Sequence, residues 1–293
     1  MRKIGFIGLG MMGLPMVDNL AKVSDFHIGV FDQKKERVAE LHMHPNWGGT
    51  LFSASALDDF SDRDIVITML PNSVITNQVV EQLCDVMSPG ALVIDMGSSN
   101  PEQTQKLCEL LAYQGIDMVD APVSGAVAKA RSGTLAIMAG GSVSAVERAI
   151  PVLEKMGTAL IRTGNIGSAH AMKALNNYVY AAGLLAAAEA LLIADRLGLD
   201  KEVFTNVLNA SSGKNVATET KLRQFIIPKT FSGGFAMHLQ AKDLSTADAL
   251  RTQTGVNAPQ LAQCTELWAK AVLSLDASAD NTRIYEFLDS LTA

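Results

Sequence analysis

Cysteine is scarce. The 293-residue chain has three, Cys84, Cys108 and Cys264. They are far apart and odd in number, so neither a disulfide framework nor a cysteine zinc site is expected, and a reducing cytoplasm suits the chain. Basic charge is short too: 24 Lys and Arg stand against 30 Asp and Glu, a net charge of −6. Nucleic-acid binders carry a basic excess or a basic stripe, so that class is not expected. No clean apolar run reaches membrane length. The longest, Tyr178–Ala194, spans 17 residues and holds Glu189, against the roughly 20 that a span requires. A buried helix is expected there, and no membrane. The N-terminus has a basic start and an apolar stretch, but glycines interrupt it and no small-residue cleavage site follows, so it is not read as a signal peptide. What is present is 48% hydrophobic and 18% charged residue content, ordinary for packed cores and too uncharged for disorder. At roughly 150 residues per domain, the length suggests about two domains.

The first half alternates short apolar runs with helical patterns. Candidate strands are Lys3–Ile7, Ile28–Phe31, Ile65–Met69, Ala91–Asp95, Met118–Asp120, Leu135–Ala139 and Ala159–Arg162. Most lack polar alternation, which fits strands buried on both faces of a mainly parallel sheet. Amphipathic stretches such as Asn100–Gln114 and Val143–Met156 lie between them, so a doubly wound α/β sheet is expected. The pattern changes near Gly164. Residues 168–197 read as one long Ala- and Leu-rich helix ending at Gly198, where glycine takes the left-handed conformation. Helices are expected at about 200–210, 215–227, 236–254, 257–275 and 281–291, with Pro259 near one start. The expected domains are a Rossmann-type unit over 1–163 and an all-helical unit over 164–293, joined by the long helix.

Gly8-Leu9-Gly10-Met11-Met12-Gly13 has G-x-G-x-x-G spacing between an expected strand and an expected helix. Gly8 permits the tight turn, Gly10 lets the backbone approach a pyrophosphate, and Gly13 allows close helix–strand packing. The helix start then offers free N–H groups and a positive dipole end to phosphates. The motif alone is weak. Asp32 strengthens it, because it ends the second strand 19 residues beyond Gly13, where an acidic residue hydrogen-bonds the adenosine ribose. A carboxylate there repels a 2′-phosphate, so NAD is favoured; Lys34 and Lys35 follow closely and leave NADP open.

A second constellation lies further on. Asp120-Ala121-Pro122-Val123-Ser124-Gly125-Ala126 follows a strand, and a Ser-Gly turn presents a hydroxyl and backbone N–H groups suited to a carboxylate. Lys173 and Asn177 are four apart and share one face of the long helix. Lys173 is the only Lys, Arg, Asp or Glu between Arg162 and Glu189, and a lysine among apolar residues is a suitable proton donor near neutral pH. Its ordinary alternative is to snorkel to solvent. Lys242, in Lys242-Asp243-Leu244, reads equally as a surface lysine paired with Asp243; His238 is one turn before it. The five histidines are scattered, without zinc-like spacing. No G-x-S-x-G elbow supports a serine triad.

Four blocks in order resemble the β-hydroxyacid dehydrogenase family: Phe6 to Met16, Asp120 to Gly125, Gly164 to Asn177, and Lys242 to Leu244. The resemblance runs from Ile4 to about Leu288. It implies that Lys173 exchanges the proton, that Ser124, Gly125 and Ala126 hold a substrate carboxylate, and that Asn177 orients the substrate. It further implies that Lys242 sits near the nicotinamide, and that Leu70, Pro71 and Ser98 line a cofactor held by Gly8, Gly10, Met11, Met12, Gly13 and Asp32. A homodimer or homotetramer is implied through the apolar helices. Departures touch substrate fit: Ala126 stands where the family often has glycine, Gly97 replaces a common serine, and Ala169 a common glycine. The expected activity is an NAD-preferring interconversion of a small β-hydroxy acid and its semialdehyde. Two alternatives stay open. Imine reductases of the same fold usually replace the lysine, and non-catalytic dinucleotide-fold binding proteins lose it and gain basic regions.

Overall fold

The structure, a computed structural model, describes residues 1–276 and 278–291. The chain forms two compact units, and the division falls after Lys173.

The first unit is built on nine strands: β1 (Arg2–Ile7), β2 (Phe26–Phe31), β3 (Leu51–Ser53), β4 (Ile65–Thr68), β5 (Leu92–Asp95), β6 (Asp117–Asp120), β7 (Val123–Ser124), β8 (Leu135–Gly141) and β9 (Gly157–Gly164). β3-β2-β1-β4-β5-β6 are parallel neighbours in that order. β8 runs antiparallel to both β6 and β7 in one continuous register, and β9 runs parallel to β8. This is a doubly wound sheet whose order reverses between β1 and β4, the point where such folds bind ligands beyond the strands' carboxyl ends.

Side-chain alternation divides the core in two. Ile65, Ile67, Leu92 and Ile94 face one layer, with α1 (Gly13–Ala21) and α6 (Val143–Leu153). Val66 and Val93 face the other, with α3 (Ser73–Val86) and α4 (Pro101–Tyr113). Both faces are covered, which explains the uninterrupted apolar runs. The short helices α2 (Lys35–Ala39) and α5 (Ala126–Ser132) complete the unit. All seven expected strands form. β3 and β7, three and two residues long, are too brief to leave a periodic signal.

The second unit is helical. α7 (Ser168–Arg196) enters it, and α8 (Lys201–Ala210), α9 (Met237–Thr254), α10 (Pro259–Ser274) and α11 (Ile284–Ser290) follow. Gly198 takes φ +71° after α7, as its position in the sequence suggests. The helix expected near 215–227 forms over Ala217–Ile226 with π geometry, a wider winding that apolar spacing does not distinguish from α. An isolated antiparallel bridge, Ala236 with Asp280, is the sole strand-like pairing of this unit among the described residues. Counted over its full 29 residues, α7 is long and apolar enough to cross a membrane. Its Ala181, Leu184, Ala188 and Leu191 are instead buried with Trp268 and Leu244 in the unit's core. Leu184 is fully buried, so Leu184→Ala is expected to lower unfolding free energy by about 2–5 kcal/mol, read by urea denaturation with circular dichroism.

Candidate functional site

The glycine loop follows β1, and its three glycines differ in what surrounds them. Gly8 has φ +99°, and a Cβ there would strike the Met69 carbonyl. A Cβ on Gly13 would strike the Gly8 carbonyl. Gly10 has nothing within 4 Å of the Cβ position and no left-handed φ. Two glycines are therefore required by the packing around them, while the Cβ position of Gly10 faces open space among the described residues. No side chain caps the start of α1 and its first turn holds no acid, so its dipole end is open to an anion. Met11 is exposed and Met12, at the N-cap, packs against the sheet core.

Asp32 binds the loop directly. Its Oδ2 accepts from the Leu9 N–H at 2.7 Å and its Oδ1 from the Lys34 N–H at 2.8 Å. The acid read as a ribose ligand thus also fixes the loop's shape. Leu70, after β4, places its side chain beside Gly8, and its carbonyl lies 3.0 Å from the Cβ position of Gly97. The turns after β1, β4 and β5 therefore converge. Pro71 precedes Asn72, whose side chain caps α3 by accepting from the Ile75 N–H at 3.0 Å. Ser98 is half-buried in the turn after β5.

Ser124 ends β7, paired with Ala136 of β8. Gly125 follows at φ +139°, where a Cβ would collide with the Lys129 side chain 2.6 Å away. Ala126 takes φ +55° and is exposed, a left-handed conformation that costs a non-glycine residue roughly 1–2 kcal/mol. This is the position where the sequence departs from a usual glycine. Asn19 of α1 donates to the carbonyl of Ala130 in α5 at 2.7 Å, so the helix after the glycine loop holds the helix after the Ser-Gly-Ala turn.

The first turn of α7 is anchored by residues that the sequence reading did not single out. Asp95 and Asp120 end β5 and β6 and are register partners. Both are fully buried. Asp95 accepts from Thr68 Oγ1 at 3.0 Å, the Gly97 N–H at 3.0 Å and Ser99 Oγ at 2.6 Å. Asp120 accepts from the N–H groups of Gly167 and His170, each at 2.9 Å. The His170 ring is buried between the two carboxylates. Its signal in the sequence was present but unused: a lone histidine one turn before Lys173. Lys173 itself is half-buried.

In the second unit, Asn177 is buried and donates through Nδ2 to Asp243 Oδ2 at 2.5 Å. Its carbonyl accepts from Gln240 Nε2 at 3.1 Å. Lys242 Nζ lies 3.5 Å from Asp243 Oδ1. Asn177, Asp243 and Lys242 thus form one chain of contacts. Asp243 stood in the sequence as the neighbour that Lys242 pairs with; its bond to Asn177 is the addition, together with Gln240, which no period or motif marks.

Residues 3–167 match the family model described as the NAD binding domain of 6-phosphogluconate dehydrogenase. Residues 167–288 match the model described as NAD-binding of NADP-dependent 3-hydroxyisobutyrate dehydrogenase. The chain is 36% identical to 2-(hydroxymethyl)glutarate dehydrogenase of Eubacterium barkeri, over 91% of this chain and 88% of that protein. The chain belongs to the β-hydroxyacid dehydrogenase family. It is also 34% identical to 3-sulfolactaldehyde reductase of Escherichia coli (strain K12), over 92% of this chain and 90% of that family member. The solved structure of Mycobacterium tuberculosis 3-hydroxyisobutyrate dehydrogenase with L-serine superposes with a TM-score of 0.89 at 31% identity, over 98% of this chain and 99% of that one. The Streptomyces aurantiacus imine reductase shares the fold at 17% identity, with a TM-score of 0.64 over 98% of this chain and 99% of that one.

The glycine geometry separates two substitutions. Gly10→Ala is expected to leave the melting temperature within about 2 °C, since a methyl fits there, while weakening NADH binding. Gly13→Ala is expected to lower both. Thermal melts and NADH fluorescence titration of the two variants check this.

Proposed function

We propose that this family member is an NAD-preferring dehydrogenase that interconverts a small β-hydroxy acid and its semialdehyde, with Lys173 as the proton donor and acceptor. The observation that carries this is Lys173 itself, half-buried on α7 and four residues before the buried Asn177. Residues 1–163 form the cofactor domain in this reading, and 164–293 the helical domain for substrate and dimerisation.

The space at Gly10 and the uncapped start of α1 fit a dinucleotide pyrophosphate. Gly8, Met11, Met12 and Gly13 complete that cradle. Asp32 takes the ribose hydroxyls, and Leu70, Pro71, Ser98 and Lys242 line the remainder. Bound NAD accepts or supplies the hydride. The chain's own residues supply position and a proton. Ser124 Oγ and the N–H groups of Gly125 and Ala126 hold the substrate carboxylate, and the Ala126 methyl narrows that cradle relative to glycine. Asn177 orients the substrate's reacting oxygen. Lys173 Nζ gives that oxygen a proton when the carbonyl is reduced and takes it back when the alcohol is oxidised.

A cytoplasmic setting suits the three cysteines, which are free. A homodimer or homotetramer is supported by large apolar side chains exposed on α7 and α8, among them Leu175, Val179, Val203 and Val207. No nucleic-acid or membrane partner enters this reading.

The test is turnover on 3-hydroxyisobutyrate, L-serine, 2-(hydroxymethyl)glutarate and, in reduction, 3-sulfolactaldehyde. Lys173→Ala is expected to lower kcat by roughly 10²–10⁴-fold on whichever is accepted; retention of most of the rate would overturn the lysine's role. Asp32 predicts a cofactor preference of about tenfold or more for NADH over NADPH, the effect of roughly 1.4 kcal/mol of repulsion. Comparing kcat/KM for the two cofactors checks it, and Asp32→Ala is expected to narrow the ratio.

A further inference from the structure

We propose that His170 is a positioning residue for Lys173, the central member of a buried cluster that sets Lys173 against the strand ends. The proposal rests on the reading of Lys173 as the proton donor.

Asp95 and Asp120 stand side by side at neighbouring strand ends, both removed from water. Buried carboxylates persist only when paired or well hydrogen-bonded. The donors that satisfy them are the residues that begin each functional segment. Asp95 takes the Gly97 N–H and so shapes the turn that carries Ser98. Asp120 opens the segment leading to Ser124, and takes the N–H groups of Gly167 and His170 at the start of α7. Gly140 on β8 has its Cβ position 2.5 Å from Asp120 Oδ1 and 2.8 Å from Ser168 Oγ. The helix start therefore presses on the sheet where only a glycine leaves room.

The His170 ring closes the cluster. Its Nδ1 is 2.9 Å from Thr104 Oγ1. The same hydroxyl lies 3.1 Å from the Asn100 carbonyl, so Thr104 ties the ring to the start of α4. Nε2 is 3.7 Å from Asp95 Oδ2, and Nδ1 is 3.8 Å from Asp120 Oδ2. The ring thus bears on β5, β6 and α4 together. Among the described residues no group of three His, Cys, Asp or Glu side chains is arranged to hold a metal, so the cluster is read as a brace. Lys173 lies three residues on, about 4.5 Å further along the helix axis at 1.5 Å per residue. With the ring hydrogen-bonded to α4 and wedged between the carboxylates that end β5 and β6, the height and rotation of this turn relative to Ser124 and Ser98 are constrained too. A misplacement of about 1 Å at a reacting group is enough to lower a rate by roughly 100-fold.

The experiment uses the full-length enzyme with the fastest of the four substrates named above. His170→Asn and Thr104→Val are compared with wild type, alone and combined with Lys173→Ala. Expected for each single variant are NADH Kd and substrate KM within about threefold of wild type, with kcat lower by roughly 10- to 100-fold. In the Lys173→Ala background neither change is expected to lower kcat further, because both act through the lysine. An unchanged kcat in the singles, or an undiminished loss in the doubles, overturns the proposal. Should His170→Asn fail to fold in a thermal melt, Thr104→Val removes one polar contact from the ring with little change of shape and decides on the same readouts. If Lys173→Ala alone keeps its rate, the underlying reading of the lysine fails; if it loses its rate while the cluster variants keep theirs, the brace alone fails.

Discussion

Two carboxylates at adjacent strand ends, closed off from the solvent surface, constrain everything near them. Asp95 and Asp120 are register partners and fully buried. Each must be satisfied by donors held at hydrogen-bond distance, and a missing donor in such a place costs more than an ordinary bond contributes. The protein meets this with short-range geometry: a turn that bends back to offer the Gly97 and Ser99 donors, and a helix start that offers two backbone N–H groups. These segments therefore take their shape from an electrostatic requirement at the carboxyl ends of the sheet's inner strands. The same requirement explains why the first turn of α7 belongs with the first unit although the rest of the helix is packed in the second.

The glycine loop obeys a steric requirement instead. Gly8 and Gly13 are forced by carbonyls of the protein itself, and Gly10 by nothing among the described residues. One motif thus holds two kinds of glycine, and only the structure separates them. The departures from the family pattern divide in the same way. Gly97 stands where a serine is common, and its Cβ position is 3.0 Å from the Leu70 carbonyl and 3.1 Å from Asp95 Oδ1. A serine would need the neighbouring turn to give by a few tenths of an ångström, so the glycine lets this turn sit closer. Ala126 works against its own backbone at φ +55°, and that strain is tolerated at the mouth of the proposed carboxylate cradle, where such strain tends to collect.

The sheet was legible because burial on both faces writes itself as unbroken Val, Ile and Leu runs. Each expected strand in the first unit formed, and the helix end at Gly198 was marked by its glycine. The π-helical stretch Ala217–Ile226 was visible only as a helix, since winding leaves no trace in apolar spacing. At the candidate site, the sequence marks as candidates the residues that a motif announces: the glycine loop, Asp32, and the Lys173–Asn177 pair. Asp95, Thr104 and His170 were not. They are 75 residues apart at the extremes, and meet only because two parallel strands end side by side and a helix starts above them. No local pattern encodes a contact assembled from two strand ends and a helix start so far apart in the chain.

The second unit repeats this logic with a different balance of charge. Asp243 is almost fully buried, yet it is shared between the amide of Asn177 and the ammonium of Lys242. A neutral donor on one side and a cation on the other compensate the buried carboxylate. Asn177 has one carboxamide hydrogen committed to Asp243, while its Oδ1 accepts from Asn176 at 3.1 Å. That fixes which edge of the amide is which, and in the proposed reading the second Nδ2 hydrogen is the one offered to the substrate oxygen. The lysine's charge is likewise held in place but not cancelled at the surface, because Lys242 keeps about a quarter of its side chain exposed, at 26%. A net charge of −6 therefore does not argue against the anionic acid proposed as substrate: the excess acid is spread over the whole sequence, whereas Lys242 and Asn177 hold a cation and an amide donor at one point of the second unit.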